Sequence, residues 1–130
     1  MPNFAKLNEL LKNNETEVLE FKEAKNDFDF RKLGKYFSAL SNEANLLVKD
    51  EAWLIFGVKN DKTIVGTNYR PNSDTLHSIK NEIANKTSNR ITFKEIYEIY
   101  MENKRVLLFQ IPSVPKGLPI SFEGHYTKTY

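Results

Sequence analysis

"AWLIFGVKNDKTIVGT", residues 52–67, decides the fold. From Ala52 to Val58 there is no polar alternation, so the run reads as a central strand covered on both faces. "KNDK" (59–62) then reads as a hairpin turn, because Asn and Asp tolerate left-handed backbone angles, and "TIVGT" (63–67) as the returning strand.

On the N-terminal side, "EVLEFK" (17–22) alternates, with Leu19 and Phe21 pointing one way and Val18, Glu20 and Lys22 the other. That is a strand with one buried face. "NFAKLNELLKNNE" (3–15) places Phe4, Leu7, Leu10 and Leu11 on one helical face, with Asn3 as N-cap and Asn13 and Asn14 ending the helix. In "DFRKLGKYFSALSNEANLL" (29–47), Phe30, Leu33, Phe37, Leu40, Ala44 and Leu47 form an apolar stripe opposite Arg31, Lys35 and Asn42, and Asp29 is the expected cap.

On the C-terminal side, "TLHSIKNEIANKT" (75–87) spaces Leu76, Ile79 and Ile83 for a third helix capped by Ser73 or Asp74. "RITFKEIYEIYM" (90–101) and "RVLLFQIP" (105–112) make a hairpin across "ENK" (102–104), and "PISFEGHYTKTY" (119–130) supplies one or two short strands. The order α-β-α-β-β-α-β-β-β predicts an α+β fold: a single compact domain, residues 1–130, with a mixed, largely antiparallel sheet packed against about three helices.

A chain of 130 residues supports one core. Apolar content of 40% with nine Phe and six Tyr fits a folded chain, and the lack of cysteine excludes disulfides, zinc thiolates and thiol catalysis. No apolar run approaches the roughly 20 residues needed to span a bilayer, so no membrane association is expected and a cytoplasmic location is. The net charge of +2 is unevenly placed: the first fifty residues carry one more acid than base, the remainder three more bases than acids. Nucleic-acid binding through a local patch is compatible with this balance.

Chemistry concentrates in "NETEVLEFKEAK" (14–25). Glu20 and Lys22 are two apart on a strand and share a face, giving the acid-x-lysine form by which metal-dependent nucleases hold a cation beside a phosphate. The same pair is equally the ion pair of a solvated strand edge. Glu15 lies near the strand start, and Asn60 and Asp61 at the turn after the central strand are candidates for a third oxygen ligand to Mg²⁺ or Mn²⁺. His77 and His125 are solitary, and no phosphate-cradling glycine loop or Ser/His/Asp pattern occurs. Lys22, Lys25, Arg31, Lys32 and Lys35 cluster between the first strand and the next helix, with Tyr69 and Arg70 in a loop and Tyr126, Lys128 and Tyr130 in the tail. Cations with interleaved rings suit single-stranded nucleic acid, and solvated surface with core-filling tyrosines is the competing explanation.

The succession "ETEVLEFKEAK", "YFSALSNEAN", "AWLIFGVKNDKTIVGTNY" and "LLFQIPSVPKGLPISFEGHYTK" resembles the Schlafen-type AlbA_2 DNA-binding domain, from about Leu7 to the end. That family occurs in bacterial transcriptional regulators, in RecG-like ATP-dependent helicases and in the Schlafen RNases. The resemblance implies a compact α+β fold, often the N-terminal module of a longer protein, that binds DNA or RNA. In the RNase members it implies a three-carboxylate centre, onto which Glu15 and Glu20 map, with Phe21 and Lys22 following as in the family. The third position departs: three past Gly57 lies Asn60, and the acid, Asp61, comes one later. The family's "AFANTEGG" block is replaced by "ALSNEANLLVKDEAW".

Two functions are therefore expected. One is a nucleic-acid-binding module of a bacterial transcriptional regulator or helicase-related protein, with Lys22, Lys25, Arg31, Lys35 and Lys128 on phosphates and no cofactor required. The other is a metal-dependent endoribonuclease on structured RNA, with Glu15, Glu20 and Asp61 holding Mg²⁺ or Mn²⁺ and Lys22 steadying phosphorane charge. A protein-interaction domain is a third class, favoured if Lys22 and Arg31 are buried in ion pairs. The chain's end at "HYTKTY" also raises the expectation of a downstream ATPase or winged-helix region.

Overall fold

A computed structural model describes residues 3–12, 18–113, 121–122 and 125–126. Helix α1 (Asn3–Leu11) precedes strand β1 (Leu19–Lys22), helix α2 (Phe30–Leu46) and strand β2 (Glu51–Phe56). Helices α3 (Ser73–His77) and α4 (Ile79–Ala84), a 3₁₀ turn (Ser88–Arg90) and strands β3 (Glu95–Met101) and β4 (Lys104–Pro112) follow. Two-residue strands β5 (Ser121–Phe122) and β6 (His125–Tyr126) form a separate hairpin. The main sheet runs β1-β2-β4-β3, with β1 parallel to β2 and the other pairs antiparallel. This is the mixed, largely antiparallel α+β sheet predicted.

Ala52 to Phe56 are all buried, as a run without polar alternation requires. Successive side chains enter different cores. Ala52, Leu54 and Phe56 join Leu107, Phe109 and Ile111 of β4 beneath α2 and α3–α4, whereas Trp53 and Ile55 join Leu19, Phe21, Leu108 and the α1 residues Leu7 and Leu10. Asp29 caps α2 as predicted, its carboxylate accepting from the Lys32 amide at 3.0 Å.

Leu33, Phe37, Leu40 and Ala44 of α2 are buried as predicted, but the proposed polar face is not all solvent. Asn42 is only 5% exposed, because α2 is covered on more than its sheet-facing stripe: Ser41 donates to the Pro112 carbonyl, and β5 packs against the helix. Leu47 falls beyond the last turn and is exposed.

Other expectations are corrected. The third helix breaks at Ser78 into α3 and α4, and its cap is Asn72, which accepts from the Asp74 amide at 2.8 Å. The left-handed residue of the turn after β2 is Lys62 (φ +73°), where Lys59 and Thr63 close the loop by an amide-carbonyl bond of 2.9 Å. "TIVGT" returns for one bridge only, Ile64 to Val58. Gly66, at φ +82°, then turns the chain so that the Thr67 amide meets the Arg105 carbonyl at 2.8 Å. The β3–β4 turn uses Glu102 and Asn103, both at positive φ, as a two-residue hairpin matching the strand twist demands.

Among the described residues one charged side chain lies inside. Arg105 shares its parity with Leu107, Phe109 and Ile111, and its guanidinium is 7% exposed. Nε donates to Glu98 at 2.6 Å, Nη1 to the Tyr69 and Thr67 carbonyls at 2.7 and 3.3 Å, and Nη2 to the Arg70 carbonyl at 2.8 Å. Side chain and backbone of Arg105 thus clamp the 67–70 loop onto β4.

Arg70 continues this path outward, its guanidinium bonding both oxygens of Glu82. The Arg70 bond holds the Glu82 carboxyl below its usual range, and likewise the Lys80 ion pair holds Glu95. A carboxyl depressed by folding stabilises the native state above its unfolded pKa and loses that contribution as pH falls through the folded one. The denaturant midpoint is therefore expected to hold steady from neutrality down to about pH 5 and then fall. E82Q should flatten the acid limb slightly, since both carboxylates are partly exposed and screened. Urea titrations at pH 7 and pH 4 check this, and an acid limb identical in wild type and E82Q/E95Q would refute it.

Among the described residues no helix is long and apolar enough to cross a membrane.

Candidate nucleic-acid interface

Strand β1 sets the site. Leu19 and Phe21 are buried toward α1, so period-two geometry turns Glu20 and Lys22 to the α2 side, beside Leu54 and Phe56 of β2. Lys22 Nζ lies 3.5 Å from Glu20 Oε2, and the two side chains are 31% and 25% exposed. The ammonium also sits 5.0 Å from the ring centre of Tyr36, which α2 supplies. Burial pulls the Lys22 pKa down, but the hydrogen bond and charge interaction with Tyr36, together with Glu20, outweigh it and leave it raised. Lys22 is therefore a fixed cation, half-covered and aimed by a ring and a carboxylate.

The connection from β1 to α2 is bound to the 66–69 loop, with the Lys25 carbonyl accepting from the Asn68 amide at 2.6 Å and the Ala24 carbonyl from the Thr67 hydroxyl. Lys25 is exposed on this tethered segment. Arg31 is exposed in the first turn of α2, and Lys35, one turn later on the same helix face, is half-buried. Neither Lys22 nor Arg31 is buried, so the condition favouring a pure interaction domain is not met.

Glu15 and Lys128 lie outside the described residues. Asp61 is exposed at the turn after β2, its carboxylate accepting from the Thr63 amide at 3.0 Å; the side-chain hydrogen bond with Thr63, and then this amide bond, hold its pKa below the usual value. Among the described residues no three acidic or histidine side chains converge on one point that could hold a metal ion. Glu20 and Lys22 are brought together, and Asp61 is occupied by its own turn. His77 is exposed, with Nδ1 against the Ser73 carbonyl, and only the backbone of His125 is described.

Sequence reasoning missed a second polar group of residues, on the opposite face of the sheet. Lys6 and Glu9 of α1, Glu51 and Trp53 of β2, Tyr97 of β3 and Gln110 of β4 surround a cavity of about 300 Å³. The available signal was strand parity, which aligns Trp53 with Glu51, but the pairing of β2 with β4 that adds Gln110 is long-range.

Solved structures share the fold, two of them as follows. One is the DIP2311 protein of Corynebacterium diphtheriae, with a TM-score of 0.59 and 16% identity; the match covers 92% of this chain and 23% of that one. The chain thus spans under a quarter of that protein's length. The other is the N-terminal domain of an ATP-dependent DNA helicase RecG-related protein from Nitrosomonas europaea, with a TM-score of 0.54, 21% identity, and coverage of 95% of this chain and 85% of that one. No curated protein matches significantly. Residues 15–130, from Glu15 through β1, the central strand and the tail, match the model of one family, and the chain therefore belongs to the Schlafen, AlbA_2 family.

Proposed function

We propose that this domain binds nucleic acid through the phosphate backbone, using Lys22, Lys25, Arg31 and Lys35, with Lys128 from the tail, as a module of a bacterial regulator or helicase-related protein. The observation that carries this reading is the aimed Lys22 ammonium on the edge strand β1, with Lys25 exposed on the tethered connection that follows and Arg31 exposed in the first turn of α2. Membership of the AlbA_2 family and the RecG-related neighbour support it.

Five phosphate contacts give a salt slope of roughly −4.5 on duplex and −3.5 on single strands, so a fourfold rise in salt should weaken binding by roughly a hundred- to five-hundredfold. Lys25→Ala and Arg31→Ala should each lower the slope by about one and weaken all sequences alike. Gel-shift or anisotropy titrations measure both, and no affinity for DNA or RNA at low salt would sink the proposal.

A second reading, a metal-dependent endoribonuclease, is favoured by the acid-x-lysine pair, whose charged atoms are 3.5 Å apart on one face. Glu20 with Glu15 and Asp61 offers the oxygen ligands that Mg²⁺ or Mn²⁺ prefers, and such an ion would supply an activated water. Lys22 would hold the scissile phosphate beside Glu20. This reading predicts Mn²⁺-dependent cutting of tRNA, abolished by chelator and by Glu20→Ala; cutting that survives both treatments belongs to a contaminant.

A further inference from the structure

The structure assigns a nucleobase site to the cavity between α1 and the sheet, on the face away from Glu20 and Lys22. Its volume of about 300 Å³ is at the lower end for small-molecule sites, and its lining combines aromatic walls with a few convergent polar groups. Trp53 and Tyr97 both line it as a stacked pair, with ring centres 6.3 Å apart and planes inclined at 29°. Leu108 closes it with hydrocarbon.

A base needs an edge reader as well as a platform. Glu51 and Gln110 provide one, and they are held rigid: Gln110 Nε2 donates to Glu51 Oε1 at 2.8 Å, Trp53 Nε1 to Glu51 Oε2 at 3.2 Å, and the Tyr97 hydroxyl to Gln110 Oε1 at 3.2 Å. Lys94 reaches Glu51 at 3.4 Å. A carboxylate accepts only, and it has lone pairs beyond these partners, so it selects a ligand edge that carries amino or imino N–H groups. Guanine presents two such donors side by side, N1–H and the N2 amino group, where cytosine, adenine and uracil each offer one.

The occupant of the mouth is the chain's own Lys6, whose ammonium lies 5.1 Å from the Trp53 ring centre and 3.4 Å from Glu9. A base stacking on Trp53 replaces this cation over the same π-face, and Lys6 keeps Glu9 as its partner when it swings out. The lining sets two carboxylates, Glu9 and Glu51, against Lys6, with Lys94 3.4 Å from Glu51, so no excess of cations there attracts a phosphate. The ligand is therefore the uncharged base, either in a free nucleoside or in an unpaired nucleotide of a strand whose phosphates lie outside. Phosphate-driven binding at the Lys22 edge plays no part here, so either reading can fail without the other.

Trp53 is the chain's one tryptophan, and a base stacked on it quenches the whole indole signal. Titration of the intact chain with guanosine, cytidine and uridine should give saturable quenching, strongest with guanosine, weaker with GMP, and little changed by salt. Glu51→Gln should weaken guanosine by about fivefold, the lower value of a bidentate base contact. Lys6→Ala, at a half-buried position of α1, removes the side chain that covers the ring and should tighten binding. Nucleoside alone marks a free-ligand site, and quenching only by a short single-stranded oligonucleotide marks a strand-borne base. The assignment is overturned if neither nucleoside nor oligonucleotide quenches, if all bases act alike and Glu51→Gln changes nothing, if choline competes as well as guanosine, or if affinity rises from guanosine through GMP to GDP.

Discussion

Arg105→Met is expected to lower the unfolding free energy by about 3–4 kcal/mol, much of what a domain of this size has. Methionine keeps the packing volume of the stem, so the loss comes from the polar end. Three carbonyls, of Thr67, Tyr69 and Arg70, would lose their donors where the guanidinium now sits 7% exposed, and each stranded acceptor costs about 1–3 kcal/mol before water enters. Glu98 is 28% exposed and can turn to solvent, so E98Q should cost under about 1 kcal/mol. Thermal unfolding followed by circular dichroism should show a drop of roughly 10–15 °C for R105M. R105K should recover only part of it, since an ammonium cannot fork to four acceptors. A drop equal to that of E98Q would mean the loop needs no clamp.

Gly57→Ala should be nearly as damaging, by about 2–4 kcal/mol. Gly57 sits at φ +95°, a conformation that disfavours any Cβ, and an added Cβ would lie 2.9 Å from the Arg105 carbonyl oxygen and 3.2 Å from Gly66 C. Both obstacles are backbone and cannot swing aside. Gly57 also donates to the Lys22 carbonyl at 2.8 Å and accepts from Val65 and Gly66, so relief of the clash would pull apart β1, the Asp61 turn and β4 together. Gly66→Ala, also at positive φ, meets Lys104 Cβ at 3.2 Å, a looser approach than the 2.9 Å at Gly57, and should cost less. Equal urea midpoints for the two variants would contradict this ranking.

The parts of this fold legible in the sequence are those set by near neighbours. The unbroken apolar run of β2, the alternation of Leu19, Glu20, Phe21 and Lys22, and the Asp29 cap each follow from a few adjacent residues, and each is found as predicted. The apolar residues Ile64 and Val65 suggested a full strand, yet Gly66 turned the chain away because the loop beyond it is bound by Arg105, a residue 39 positions later. Asn72 prevailed over Ser73 and Asp74 as a cap because its side chain reaches two free amides at once. For the candidate site, the Glu20–Lys22 pairing was readable from period two, whereas Tyr36 beneath Lys22 and the Glu51–Gln110 contact depend on how α2 and β4 dock. Arg105 carried a signal that was available, a charge at the inward parity of "RVLLFQI".

The parallel pairing of β1 has a kinetic consequence. The β3–β4 hairpin closes over two residues and can form on the microsecond scale, but β1 has one neighbour and can register against β2 only after the intervening helix has been laid down. Four residues zipped last are also unzipped first, so deuterium should enter β1 well before β4. The surface presenting Glu20 and Lys22 thus belongs to the most readily released strand, and a polyanion docked there would act as a latch, slowing exchange along β1.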